Sequence, residues 1–146
     1  MKMKTVQDIL ARKGRDVWSA SPDTSVLEAI GLLRDKNVGA LVVLSEGRLV
    51  GIFSERDYAR KVALRGRSSR DTPLSEVLTG RVLCVGPDRT VEECMALMSD
   101  KHIRHLPVVD GDGSVIGVVS IGDVVGALLW GQSFLIDQLE QYISGS

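Results

Sequence analysis

The chain has 146 residues, 44% of them hydrophobic and 25% charged, so it can bury a core but has no room for a separate catalytic domain. A formal net charge of −1 argues against broad electrostatic binding to nucleic acid or to an anionic membrane. Cys84 and Cys94 form no CxxC, no apolar run approaches the ~18 residues of a membrane span, and the opening Met1-Lys2-Met3-Lys4 leads into a polar helix instead of a signal peptide; a reduced, cytoplasmic setting is expected.

Val6, Ile9 and Leu10 fall on one helical face, and Gly14 ends that run. Val17 to Ala20 reads as a strand stopped by Ser21-Pro22, after which Val26, Ala29, Ile30 and Leu33 mark the buried face of a helix finishing near Lys36-Asn37. Leu41 to Leu44 and Leu49 to Phe53 are apolar, β-branched-rich runs joined through Glu46-Gly47, a hairpin pattern. A helix is expected from about Glu55 to Leu64, then a polar linker from Arg65 to Pro73. The same series returns: a strand from Val82 to Val85, a helix from Val91 to Lys101, a hairpin from Leu106 to Val119 and a helix from Gly122 to about Trp130. Beyond it, Phe134, Leu135, Leu139, Tyr142 and Ile143 keep helical spacing, which predicts an amphipathic helix packed on the body or on a second copy.

The return is a duplication. Pro22-Asp23-Thr24-Ser25-Val26 is matched by Pro87-Asp88-Arg89-Thr90-Val91, 65 residues later, and Val6-Gln7-Asp8-Ile9-Leu10 by Leu74-Ser75-Glu76-Val77-Leu78. Gly51-Ile52-Phe53-Ser54-Glu55-Arg56-Asp57 is matched by Gly117-Val118-Val119-Ser120-Ile121-Gly122-Asp123 at an offset of 66, the extra residue lying in the hairpin turn, where repeats tolerate insertion. In both copies a strand ends on a serine that starts a helix, with an aspartate three residues on. That pattern has two readings. It is a capping box, or it is a ligand site in which helix-start N–H groups meet an anion and the carboxylate accepts from vicinal ribose hydroxyls. Arg56 and Arg104 stand near these junctions, and arginine suits bidentate phosphate contacts; the cluster Arg60, Lys61, Arg65, Arg67 and Arg70 is either a solvated face or a positive rim. Gly122 stands where Arg56 stands in the first copy, so the two sites are not equivalent. His102 and His105 lack a third ligand and are not read as a metal pair. No nucleophile is paired with a base, and the glycines match neither a Walker nor a Rossmann loop.

Taken in order and twice, these features resemble the cystathionine-β-synthase (CBS) domain, and nearly the whole chain is similar to a stand-alone tandem pair. The resemblance implies an α+β fold of two pseudo-twofold related βαββα repeats packed sheet to sheet, divided here at 1–70 and 71–146, with flanking helices. It also implies that Val38, Gly39, Ala40, Ile103, Arg104 and His105 surround an adenine ring, that Ser19 takes the place of a nucleotide-touching threonine, and that Ser54, Ser120, Asp57 and Asp123 hold phosphate and ribose. Cys84 departs from the threonine pattern in the second half. The implied function is a non-enzymatic adenine-nucleotide sensor, with AMP first, then ADP, ATP or S-adenosyl compounds; NAD(H) binding and a dimerising interaction module with vestigial clefts are the alternatives. A homodimer through the helices after Asp57 and Asp123 is expected, with an unidentified regulated protein as a further partner.

Overall fold

The computed structural model describes residues 4–78 and 81–130; the amphipathic tail expected at Phe134 to Ile143 lies outside them. Helix α1 (Val6–Lys13) starts in a capping box between Thr5 and Asp8 and ends at Gly14, whose φ of 98° favours glycine. Strand β1 (Ser19–Ala20) runs parallel to β2 (Ala40–Ser45), which forms a hairpin with β3 (Arg48–Ser54). Helix α2 (Val26–Lys36), capped by the Ser25 hydroxyl, connects β1 to β2. The second copy repeats the plan with α4 (Val91–Lys101), capped by Thr90, and the hairpin of β4 (His105–Val109) and β5 (Val115–Ser120), followed by α5 (Ile121–Leu128). The correspondence reaches the irregularities: α2 and α4 end on left-handed Asn37 and His102, and the hairpins shift register at Val43/Leu44 and Val108/Val109.

Two expectations are corrected. The strand expected at Val82 to Val85 is reduced to a single bridge between Val85 and Val108. In the first half the Val42 N–H donates to the Trp18 carbonyl at 3.2 Å. The residue in the corresponding place is Pro107, which has no N–H to donate. The helix after β3 spans about the expected length, but only α3 (Glu55–Asp57) is α-helical; Tyr58–Ala63 continues in the wider π geometry, with the Leu64 N–H reaching Ala59 O at 3.0 Å. Such segments are frequent at functional sites.

The two cores are assembled by exchange. Val6, Ile9 and Leu10 of α1 are buried with Val91, Cys94, Met98, Leu106 and Val119 of the second copy. Leu74 and Val77, from the short 3₁₀ turn Leu74–Glu76, are buried with Val26, Leu33, Leu41, Phe53 and Val62 of the first. The backbone repeats this symmetry. Val6 and Gln7 donate to Arg89 O and Pro87 O, and Leu74 and Ser75 donate to Thr24 O and Pro22 O, all at 2.9 Å. Each glycine that opens a motif receives a leucine from the other copy's lead-in segment: a Cβ on Gly117 would lie 2.6 Å from Leu10 Cδ2, and one on Gly51 would lie 2.8 Å from Leu78 Cδ1. Complete burial of Leu10 there contributes about 1.5–3 kcal/mol, and the partly buried Leu78 contributes less.

Candidate functional site

Both Ser-x-x-Asp turns close as capping boxes. The Ser54 N–H and hydroxyl donate to Asp57 Oδ2 at 2.9 and 3.0 Å, and the Asp57 N–H donates to Ser54 Oγ at 3.2 Å. Ser120 N–H donates to Asp123 Oδ2 at 2.8 Å, and Asp123 N–H returns to Ser120 Oγ at 3.1 Å. Capping and ligand binding do not exclude one another, because an ionised carboxylate offers about four lone-pair directions and the cap occupies one oxygen.

A cleft of about 560 Å³ opens at Asp57, between the two copies. It brings together Gly39, Ser54, Arg56, Asp57, Ile103, Arg104 and His105, seven of the residues expected at the site, and adds Ile52, Arg60, Lys61, Arg81, Leu83 and Lys101 among others. Ser19, Val38, Ala40, Ser120 and Asp123 do not line it. Ser19 lies on β1 opposite Val42, Ala40 pairs with Ser54 in the hairpin, and Val38 packs on the first core. Lys61 Nζ stands 3.4 Å from Asp57 Oδ1, one helical turn on. Arg56 reaches across and donates to the His102 carbonyl at 3.3 Å. Counted by charge, the lining sets six cations, Arg56, Arg60, Lys61, Arg81, Lys101 and Arg104, against Glu55 and Asp57.

The surroundings of Asp123 differ. Lys13, at the end of α1, places Nζ 2.7 Å from Asp123 Oδ2 and 2.9 Å from the Val118 carbonyl. Burial by itself would raise the pKa of Asp123; the hydrogen bond from Lys13, those from Ser120 and the Lys13 charge together outweigh it and hold the carboxyl below its usual range. His105 is pushed the other way from a charged state: burial chiefly, with the Lys13 charge next, lowers its pKa below 6.5 against the opposing pull of Asp123 and Glu55. It is therefore a neutral ring at pH 7. Its Nε2 lies 3.1 Å from the place a Cβ on Gly39 would occupy, so a side chain at position 39 would push the ring by a few tenths of an ångström.

Lys13 and Arg81 were not among the residues expected at these sites. The signal was present: each stands three residues beyond the matched leucine, Lys13 after Leu10 and Arg81 after Leu78, so extending the lead-in repeat by one turn pairs them. Among the described residues, no three His, Cys, Asp or Glu side chains gather as a metal set, and no helix is long and apolar enough to cross a membrane.

The comparisons with known proteins follow the same division. The chain matches the CBS domain twice, at residues 6–64 and 72–129. It is 39% identical to the mitochondrial CBS domain-containing protein CBSX3 of Arabidopsis thaliana, over 97% of this chain and 72% of that one. Among solved structures, a protein with CBS domains from Burkholderia ambifaria is 44% identical and superposes with a TM-score of 0.85 over 88% of this chain and 96% of its own. The CBS domain pair of protein MJ0100, in complex with 5′-methylthioadenosine and S-adenosyl-L-methionine, is 29% identical, with a TM-score of 0.77 over 90% of this chain and 99% of its own. With both repeats matched and both folded as such pairs fold, the chain belongs to the CBS-domain family as a tandem pair of regulatory type.

Proposed function

We propose that the chain is a non-enzymatic sensor that binds an adenine nucleotide, AMP before others, in the cleft at Asp57. The observation that carries this reading is the charge of the lining, six cations against two carboxylates, beside a carboxylate that retains acceptor capacity on Oδ1. A sugar to donate to Asp57 and a phosphate to accept from arginine are what such a cleft suits. The S-adenosyl-L-methionine held by the MJ0100 pair carries a sulfonium cation, which this lining repels; a nucleotide monophosphate or larger is attracted. Ile52, Gly39 and Ile103 provide apolar and close-approach surface for the base, with His105 as a neutral neighbour. Because the lining draws on both copies, ligand acts by favouring one arrangement of the two halves, to the extent that it binds that arrangement better. A cytoplasmic homodimer, joined through the helices after Asp57 and Asp123 and acting on a partner protein, is the setting in which we place it.

The test is calorimetric titration with AMP, ADP, ATP, NAD and NADH, backed by thermal melts. Ligand at about 100 times its dissociation constant should add about 2.7 kcal/mol of stability. Asp57→Ala should lose AMP binding and about 0.5–2 kcal/mol of stability from the broken cap; Asp57→Asn, which keeps one acceptor oxygen for Ser54, should fold better and still bind poorly. Heat and melting point unmoved by every nucleotide would remove the sensor reading, and selective tightness for NADH would change the ligand.

A further inference from the structure

We propose that His105 is the proton-linked residue of the Asp57 cleft: an anion bound there draws a proton from solvent onto its ring, so that ligand binds more tightly as pH falls. The proposal adds a regulation to the nucleotide reading above and rests on it. Three observations carry it. First, His105 lines the cleft with its ring against Gly39, which lines it too. The ring nitrogens make no hydrogen bond among the described residues, where no buried side-chain nitrogen lacks a partner; both are therefore accessible, and the unprotonated one is free to take a proton. Secondly, the charged groups that face the ring cancel in number: Lys13 from α1 and the adjacent Arg104, against Asp123 of α5 and Glu55 of α3. Burial above all, with the Lys13 charge next, disfavours the imidazolium, and Asp123 is already taken by Lys13 at 2.7 Å. The rest of the lining sets Arg56, Arg60, Lys61, Arg81 and Lys101 against Asp57, a further bias against a charged ring until an anion arrives. Thirdly, the position is not duplicated. His105 pairs with Ser120 where Ala40 pairs with Ser54, so the first copy has no titratable group at this register.

A bound phosphate reverses the bias. It brings a charge of about −1.5 to −2 near neutral pH. A cleft of about 560 Å³ is about 10 Å across if round, about one Debye length at 0.1 M salt, so the ring feels the phosphate wherever it sits. An opposite charge in contact changes proton affinity about 10- to 1000-fold; across an open cleft the effect is smaller, roughly three- to tenfold. By linkage the ligand gains the same factor in its own affinity. The gain is absent well above the midpoint of the ligand-bound ring and complete below that of the free ring, which lies under 6.5.

The experiment follows the His105 ring by proton NMR titration in free protein and with saturating AMP, inorganic pyrophosphate or adenosine. His102 is the only other histidine, and the His105 resonance is the one that a folded His105→Gln variant lacks. AMP and pyrophosphate should move the midpoint upward, and uncharged adenosine should not. Calorimetry then compares AMP affinity at pH 8 and at the free-ring midpoint; wild type should gain roughly three- to tenfold relative to His105→Gln, the ionisation of the phosphate being common to both. A midpoint that AMP leaves in place or lowers, an equal rise with adenosine, or equal pH dependence in His105→Gln would overturn the proposal and leave the sensor reading standing. A rise with pyrophosphate in a protein that takes no AMP would support the proton link and overturn the adenine reading; no response to any probe would overturn both.

Discussion

Substituting Gly117 by alanine tests the exchanged packing on which the geometry of both sites depends. The added Cβ would lie 2.6, 3.1 and 3.4 Å from Cδ2, Cδ1 and Cγ of Leu10, where carbon atoms pack best at about 3.5–4.0 Å. Leu10 is 1% exposed and cannot swing into solvent. Nor can α1 slide outward without stretching the 2.9 Å bonds from Val6 and Gln7 to Arg89 O and Pro87 O. The clash therefore has to be absorbed as strain, and overpacking of this kind costs about 1–3 kcal/mol, or roughly 2–4 °C in melting temperature for each kcal/mol at this size. Urea unfolding followed by circular dichroism measures it. The companion Leu10→Ala removes the clashing atoms and leaves a cavity, for about 2–5 kcal/mol. In the double variant the new methyl partly fills that cavity, so the combined loss should fall short of the summed single losses by about 0.5–3 kcal/mol. A neutral Gly117→Ala, or strict additivity in the cycle, would refute the reasoning. The same cycle at Gly51 and Leu78 should show smaller losses of the same sign, since that Cβ meets Leu78 Cδ1 at 2.8 Å but Leu78 is only partly buried and has room to shift.

Two further outcomes are expected. His105 has a folded-state pKa below its ordinary 6.5, so as pH falls through 6.5 the unfolded chain takes up the proton first and stability declines until the folded-state value is reached. His105→Gln should flatten stability across that window, and proton NMR titration of the His105 ring should move upward in Lys13→Met, because the Lys13 charge is one of the causes of the depression. Pro107→Val supplies the missing donor to the Leu83 carbonyl; the new bond contributes about 0.5–1.5 kcal/mol, but losing proline costs about 0.4–1 kcal/mol through the unfolded chain. Stability should barely move, and the readout is hydrogen exchange: a protected amide at position 107 is expected, and rapid exchange there would refute the account of the shortened sheet.

The sequence carried its local structure plainly. Ser25 and Thr90 cap the helices they were expected to start, the Glu46-Gly47 turn adopts positive φ at both residues, favoured at Gly47 and uncommon at Glu46, and the Ser-x-x-Asp motifs sit at strand-to-helix junctions. The partner of each buried face was less legible. The spacing of Val6, Ile9 and Leu10 announces a buried stripe but says nothing of what covers it, and the cover comes from residues 85–127, far along the chain. Lys13 and Arg81 were missed for the same reason, since Asp123 lies 110 positions from Lys13 and the cleft that Arg81 lines is built from both copies. Val82 to Val85 has the composition of a strand and fails as one because of Pro107, more than twenty positions away, which no local window includes. Val38 and Ala40 flank Gly39 in sequence, yet only Gly39 lines the cleft, because successive residues entering a strand face opposite ways.

A single residue, Pro107, accounts for the difference in strand pairing between the halves. In the first, the Trp18 carbonyl is tied into the sheet by Val42, so the chain crossing from Lys13 toward β1 is held at its far end. In the second, Pro107 leaves Leu83 outside any ladder and 40% exposed, and that segment becomes a wall of the Asp57 cleft. One crossing segment is thus pinned to the sheet through the Trp18 carbonyl; the other is unpinned at Leu83 and lines the Asp57 cleft. A wall that is not part of a sheet can adjust to a ligand at small cost, because no ladder hydrogen bond has to break. The asymmetry suggested by Gly122 opposite Arg56 is therefore accompanied by a difference in backbone pairing, Val42 bonded to Trp18 in the first half and Pro107 without a donor in the second.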